Sequence, residues 1–348
     1  MKKEMVLFLV AAGGVLSMCS GFQESSPPDI SSSEWPMLHG TTERTRFSDD
    51  AAPDSPYVLW SENLNEINVD SPIISNDRVY ILGSYSLSVL SLETGELLNS
   101  FDLLGWATLT ISQNVLFFPS GHNLVCFDTA TASVLWKSPM GGGSTSNPVV
   151  YCGKVFMGGG WCPFIEGADK REEKKVRCLD QFTGDVVWEF FAKGKVCSSP
   201  SLSEGILYIG SWDTNVYALD SDTGNMYWKA SIGAPISESP VIFGDSVLVT
   251  ADRLYCLDRK TGMLVWEFQD SKEAFHSKDS PAVAYGLIFF ASRTEVYALD
   301  GAGVIVWETT PESDVTSSLV ADGTRRIRTS DKTVYKDVLQ INKIAGIE

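Results

Sequence analysis

The chain has 348 residues, 44% of them apolar and 11% aromatic, with a formal charge of −17. That composition can bury a large core and excludes a disordered acidic polymer. Its negative field repels phosphate backbones and anionic lipid, which argues against a nucleic-acid partner and against any membrane contact beyond an anchor.

The first residues, "MKKEMVLFLVAAGGVLSMCSGF", carry two lysines, an apolar run from Met5 to Met18 and then small residues. The run is short for a membrane span and has the make-up of an export signal, so the protein is expected outside the cytoplasm. Cys19 follows Leu16-Ser17-Met18, which resembles a lipobox; Met18 departs from the small residue expected there. Cys19 is the expected lipidation site and the anchor to the cell envelope. Residues 1–19 are thus assigned to the signal, 20–34 ("SGFQESSPPDISSSE" in outline) to a flexible tether, and 35–56 to a lead-in.

From residue 57 to 340 one unit repeats about every 40 residues, a period that points to a stacked array. First strands open at "SPIIS", "ATLTIS", "NPVVY", "SPSLS", "SPVIF", "SPAVA" and "SSLVA". Proline suits a strand's start, where no ladder donor is lost. A short turn, an apolar second strand and a third strand of the "VYALD" type follow. A "DxxTG" turn then leads to a fourth strand ending in tryptophan. Asp180, Asp220 and Asp258 open that turn, where a carboxylate caps backbone amides, and Gly184, Gly224 and Gly262 close it at positive φ. Trp136, Trp188, Trp228, Trp266 and Trp307 each follow the turn's last position by four residues. Large rings at one fixed place suit packing between neighbouring sheets. Asn99 replaces the tryptophan in the first unit, and Ala132 replaces a turn glycine further on.

The last unit offers three strands but neither turn glycine nor tryptophan. The missing strand is present near the other end, in "SPYVLWSEN", where Trp60 has no strands before it. The expectation is an all-β fold: a seven-bladed β-propeller of four-stranded antiparallel blades, closed by that N-terminal strand. In the rival count "QINKIAGIE" completes the last blade and residues 57–64 cover an edge; in the first reading 341–348 are a C-terminal tail, and an eight-bladed ring is the lesser alternative.

The run "SPxxxxGxxYxGSxDxxVYALDxxTGxxxW" resembles the PQQ-like (quinoprotein-like) propeller repeat, over roughly residues 55 to 338. "EWPMLHGTTERTRFS" is similar to the lead-in of exported members. The resemblance implies two functions. One is a non-catalytic, monomeric platform binding an envelope or membrane protein, as in the lipoprotein propeller of the bacterial outer-membrane β-barrel assembly machinery. The other is oxidation with pyrroloquinoline quinone (PQQ). The alcohol-oxidising members stack a vicinal cysteine pair on that cofactor, and no adjacent cysteines occur here. Neither catalytic residues, metal nor cofactor is therefore expected. A carbohydrate-binding surface protein is a third reading.

Other constellations are weak. His39, His122 and His276 lack metal-ligand spacing. Cys126, Cys178 and Cys256 share one third-strand position, held elsewhere by Ala218 and Ala298, and are expected as buried thiols. Cys152 and Cys162 are expected at opposite ends of a strand, too far apart to bond. Cys162 and Cys197 fall on the same face, so a Cys162–Cys197 disulfide is the expected pairing. "WCPFIEGADKREEKKV" (161–176) enlarges one turn between second and third strands, and functional loops concentrate on rigid frames. Trp161, Trp212, Lys170 and Arg171 make up the candidate contact face.

Overall fold

Short strands joined by tight turns build the molecule. The computed structural model describes residues 41–45, 60, 62, 64, 72–103, 109–140, 144–159, 174–269, 280–292, 294–310, 319–321 and 327–328. Sheet 1 is β1 (Ile73–Ser75), β2 (Arg78–Leu82), β3 (Leu87–Ser91) and β4 (Leu97–Phe101); sheet 2 is β5 (Thr110–Ser112), β6 (Val115–Ser120), β7 (Asn123–Asp128) and β8 (Ser133–Pro139). Sheet 3 comprises β9 (Val149–Tyr151), β10 (Lys154–Gly159), β11 (Lys175–Asp180) and β12 (Val186–Phe191). Sheet 4 comprises β13 (Ser201–Ser203), β14 (Ile206–Gly210), β15 (Asn215–Asp220) and β16 (Met226–Ser231). Sheet 5 holds β17 (Val241–Phe243), β18 (Ser246–Thr250), β19 (Leu254–Asp258) and β20 (Leu264–Phe268); sheet 6 holds β21 (Ala282–Ala284), β22 (Leu287–Ala291), β23 (Val296–Leu299) and β24 (Ile305–Thr309). The pair β25 (Val320–Ala321) and β26 (Ile327–Arg328) begins a further sheet.

Every four-stranded sheet is an antiparallel meander in chain order. Successive sheets meet through their first strands, β1 with β5, β5 with β9, β13 with β17, β17 with β21 and β21 with β25. The sheets therefore fan out from their first strands, the arrangement of a β-propeller. The core is a series of layers between neighbours. Val149, Phe156 and Trp188 of sheet 3 pack with Leu202, Leu207 and Tyr217 of sheet 4, and equivalent residues join sheets 4 to 5 and 5 to 6.

Trp188 shows how the repeat's marks work together. Its ring lies over Gly224, the turn glycine of the next sheet, where a Cβ would come within 2.7 Å of the indole. Its Nε1 donates to Ser221 O at 3.1 Å in the same turn. Gly224 also has φ +73, so an L side chain is disfavoured twice over. Trp136 meets Gly184, Trp228 meets Gly262 and Trp266 meets Gly303 in the same way, each indole donating to a carbonyl of that turn. Trp60 lies over Gly95 of sheet 1 and donates to Leu92 O at 2.9 Å. It thus stands toward sheet 1 as the fourth-strand tryptophan of a preceding blade would.

A bulge falls at one place in all six sheets, such as Cys178/Leu179 against β12 and Ala218/Leu219 against β16. It brings two consecutive outer-strand residues to the solvent side, as at Val186 and Val187 or Met226 and Tyr227. The bulge also twists the unpaired outer edge, which discourages edge-to-edge pairing.

Expectations for residues 1–34, including Cys19, for the lead-in apart from 41–45, for the third strand of the last unit and for 341–348 lie outside the described residues.

Candidate functional site

Two sets of turns close opposite ends of the sheets. At one end the aspartates of the repeat cap the turn before the fourth strand. Asp220 Oδ1 accepts from the amides of Asp222 at 3.0 Å and Thr223 at 2.7 Å, and Asp180 and Asp258 do the same. Asp128 and Asp300 extend the series to sheets 2 and 6. Bonds to the charged form hold these carboxyls low. For Asp220 the leading donor is Tyr227 Oη; for Asp180 and Asp128 it is a backbone amide, of Thr183 and Ala130; for Asp258 it is Thr261 Oγ1. These acids cap their turns.

The other end carries Trp212, in the turn between β14 and β15. It is 40% exposed, donates from Nε1 to Ser237 Oγ at 3.0 Å, and lies under Lys195 Nζ, 5.0 Å from the ring centroid. Asp213 beside it fixes the turn, its Oδ2 accepting from Lys193 N at 2.8 Å and from Tyr217 Oη at 2.7 Å. Burial opposes its charge, but the bonds from Tyr217, Asn215 and the Lys193 amide outweigh it and hold the carboxyl below the usual range. The same bond, with burial leading, pushes the Tyr217 hydroxyl up. A rigid turn therefore presents one indole and one ammonium to solvent. Next to it in sheet 3, Glu189 Oε1 bridges Lys175 at 2.9 Å and Arg177 at 2.6 Å, so two cations share one carboxylate. Trp161, Cys162, Lys170 and Arg171 lie outside the described residues.

Cys126, Cys178 and Cys256 are buried thiols facing Trp136, Trp188 and Trp266 across the third and fourth strands. Burial is the leading cause that pushes Cys126 and Cys178 up to about 12. Cys197 keeps its thiol, which corrects the expected Cys162–Cys197 bridge. Cys152 is disulfide-bonded instead, with its partner outside the described residues. His122 is exposed, and its carbonyl accepts from Met140 N at 2.7 Å; His39 and His276 are not described. Among the described residues no group of three or more His, Cys, Asp or Glu is placed to hold a metal ion.

Sequence reasoning missed the lead-in's destination. Leu202, Ile242 and Val283 are the middle residues of the innermost strands of sheets 4, 5 and 6. Their amides donate to Thr42 O at 2.8 Å, Glu43 O at 3.1 Å and Thr45 O at 2.9 Å. Arg44 sends its side chain inward instead: it is fully buried, with Nε 2.5 Å from Pro200 O and Nη2 3.4 Å from Asn147 O. Its backbone is left-handed, φ 60, closed by Arg44 N to Thr41 O at 3.1 Å. That conformation costs a non-glycine residue about 1 kcal/mol and persists where surrounding contacts over-determine it. No side-chain pattern announces carbonyl acceptors, which every residue carries.

Radial four-stranded meanders, capped turns and interlocking indoles make this chain a β-propeller, and its repeats resemble the PQQ-like kind. Residues 172–340 match the sequence family described as outer membrane protein assembly factor BamB, which the chain resembles. Tetrathionate hydrolase of Acidithiobacillus ferrooxidans is 22% identical over 189 residues, 48% of this chain but only 38% of that protein. The crystal structure of BamB from Moraxella catarrhalis superposes with TM-score 0.66 at 17% identity, covering 79% of this chain and 84% of that one. A europium-containing methanol dehydrogenase superposes with TM-score 0.69 at 14% identity, covering 84% and 81%. At these identities the structural likeness defines the fold alone.

Proposed function

We propose that the protein is a non-catalytic binding platform of the cell envelope, exported and held there through Cys19, whose propeller docks an envelope protein. The observation that carries this reading is the division of labour between the two ends. The repeat's aspartates are engaged in turn caps, whereas the opposite end offers a braced, exposed indole under an ammonium. Exposed tryptophan on a rigid support is a common anchor of protein interfaces. The enlarged turn at 161–176 follows β10 of sheet 3, so Trp161, Lys170 and Arg171 belong to the same proposed face. The matched BamB family favours an assembly partner over a substrate.

Dehydrogenase relatives of the fold raise the alternative of PQQ-dependent oxidation. Two observations weigh against that reading: Thr42, Glu43 and Thr45 line the innermost strands of three sheets, and the repeat's carboxylates cap turns.

The test is a membrane pull-down with the full chain beside its Trp212→Ala and Lys170→Glu/Arg171→Glu variants. The platform reading expects one envelope protein whose recovery falls about tenfold or more in Trp212→Ala. Equal recovery by all variants sinks the assigned face. A rise in melting temperature on adding PQQ with Ca²⁺ sinks the non-catalytic reading, because a ligand that binds only the folded state stabilises it. A tryptophan-fluorescence response to sugars, lost in Trp212→Ala, would instead support carbohydrate binding.

A further inference from the structure

The lead-in does more than cover strand edges. We infer that the innermost strands of sheets 3 to 6 form a peptide site selective for a guanidinium group, which this chain fills in cis with residues 42–45.

The site has two parts. Its backbone part is the row of inward amides at Leu202, Ile242 and Val283, each the middle residue of a three-residue strand at a sheet edge. Such an edge is open to an extended segment in any chain, and backbone bonds alone give affinity without selectivity. Here carbonyls 42, 43 and 45 take the three amides, and residue 44 is the one that turns its side chain in instead.

The second part gives selectivity. Where the first residue of an innermost strand carries a hydroxyl, it ties its sheet to the next. Thr110 Oγ1 donates to Pro148 O at 2.7 Å, and Ser201 Oγ donates to Pro240 O. In sheet 3 that position is Val149, which has no hydroxyl. Pro200 O of sheet 4 receives Arg44 Nε instead, while Arg44 Nη2 reaches Asn147 O on the sheet 3 side. The guanidinium thus bridges a seam whose first-strand hydroxyl is missing, as it also is at Ile73, Val241 and Ala282 of sheets 1, 5 and 6. Two carbonyls on separate sheets suit a planar fork with several donors, which a lysine ammonium cannot reproduce. Beside it Glu43 Oε1 accepts from Ser203 Oγ at 2.6 Å, and Arg259 Nη1 donates to the same hydroxyl at 3.3 Å.

The experiment uses the full chain with Arg44→Ala and Arg44→Lys, and reads hydrogen exchange at the amides of Leu202, Ile242 and Val283. The expected result for Arg44→Ala is acceleration at all three, on the order of tenfold or more, with the Leu248 and Leu257 amides of sheet 5 unchanged. Millimolar ethylguanidinium then restores slow exchange in Arg44→Ala, whereas ethylammonium does not. Arg44→Lys, which keeps charge and bulk, also accelerates the three amides and guards against a variant that fails to fold. In that case the same ethylguanidinium addition is made to Arg44→Lys, and slowed exchange is expected. Unchanged exchange in both variants overturns the inference. So does acceleration that ethylguanidinium leaves untouched, since a merely structural loss would not respond to the free group.

Discussion

The seam between sheets 3 and 4 and the seam between sheets 1 and 2 are built from the same repeat and differ in how they fill the tryptophan and turn-glycine positions. At the first, Trp188 covers Gly224 and donates into its turn. At the second, Asn99 stands in the tryptophan's place and Ala132 in the glycine's, both exposed. Ala132 keeps the left-handed backbone, φ 54, that glycine adopts elsewhere. The two departures face each other and are therefore one. A Cβ at the turn position collides with an indole, so alanine is admissible only where the neighbouring sheet has withdrawn its ring. At the described seams between sheets 1 and 6 the indole and the glycine are a single coupled device, and each seam has both or neither.

Removing the ring tests this most strongly. Trp188→Ala leaves a cavity and an unsatisfied Ser221 carbonyl and is expected to cost about 4 kcal/mol of unfolding free energy, whereas Asn99→Ala is expected within about 0.5 kcal/mol of zero. Urea denaturation of the two variants checks it, and equal losses would mean that the indole is not what holds the seam. Gly224→Ala should follow at about 3 kcal/mol, from overpacking against Trp188 and from the positive φ together. The same change made in Trp188→Ala should cost less, because only the backbone part remains. A loss of the same size in both backgrounds would assign the whole effect to φ.

The fold was largely legible because its signals are local and recur. Prolines at strand starts, two-residue turns, "DxxTG" and a tryptophan four residues on repeat often enough that exceptions stand out. Even there, Pro148, Pro200, Pro240 and Pro281 sit one residue ahead of their strands rather than on them. Asn99 and Ala132 were each visible as departures, but their pairing depends on which turn lies under which ring, a relation between sheets. The buried thiols Cys126, Cys178 and Cys256 were readable from register alone. The Cys162–Cys197 bridge was not, since register gives a face and not a distance. The role of Arg44 was invisible for a different reason: it is one of 27 basic residues, and nothing in "TTERT" separates a buried guanidinium from a solvated one.

Rebuilding the exceptional seam sharpens the comparison further. Asn99→Trp alone should be neutral or destabilising, because the Ala132 Cβ occupies the indole's seat. Ala132→Gly alone should change stability by less than about 1 kcal/mol, since relief at positive φ is offset by a more flexible unfolded chain. Together the two should stabilise by about 1–2 kcal/mol more than their sum. A double-mutant cycle in urea measures that coupling directly, and additivity within error would refute the idea of one coupled device.

Acid should separate the same sheets by a smaller margin. The turn of sheet 1 opens on Ser91, whose Oγ accepts from Thr94 N at 3.2 Å, whereas sheets 2 to 6 open theirs on Asp128, Asp180, Asp220, Asp258 and Asp300. For the first four of these the folded-state pKa lies below the ordinary value. A depressed carboxyl contributes stability that is fully present above the unfolded pKa, about 3.9, and is lost as pH falls through the folded value. Asp220→Asn keeps an oxygen acceptor but removes the charge. Its deficit against the parent protein should therefore be present at neutral pH and shrink below about pH 4. Ser91→Ala should show a deficit that does not vary with pH over the same range. Urea midpoints taken from neutral pH down to about pH 3 decide the matter: an Asp220→Asn deficit that persists undiminished would show that the turn uses the aspartate's shape and not its charge.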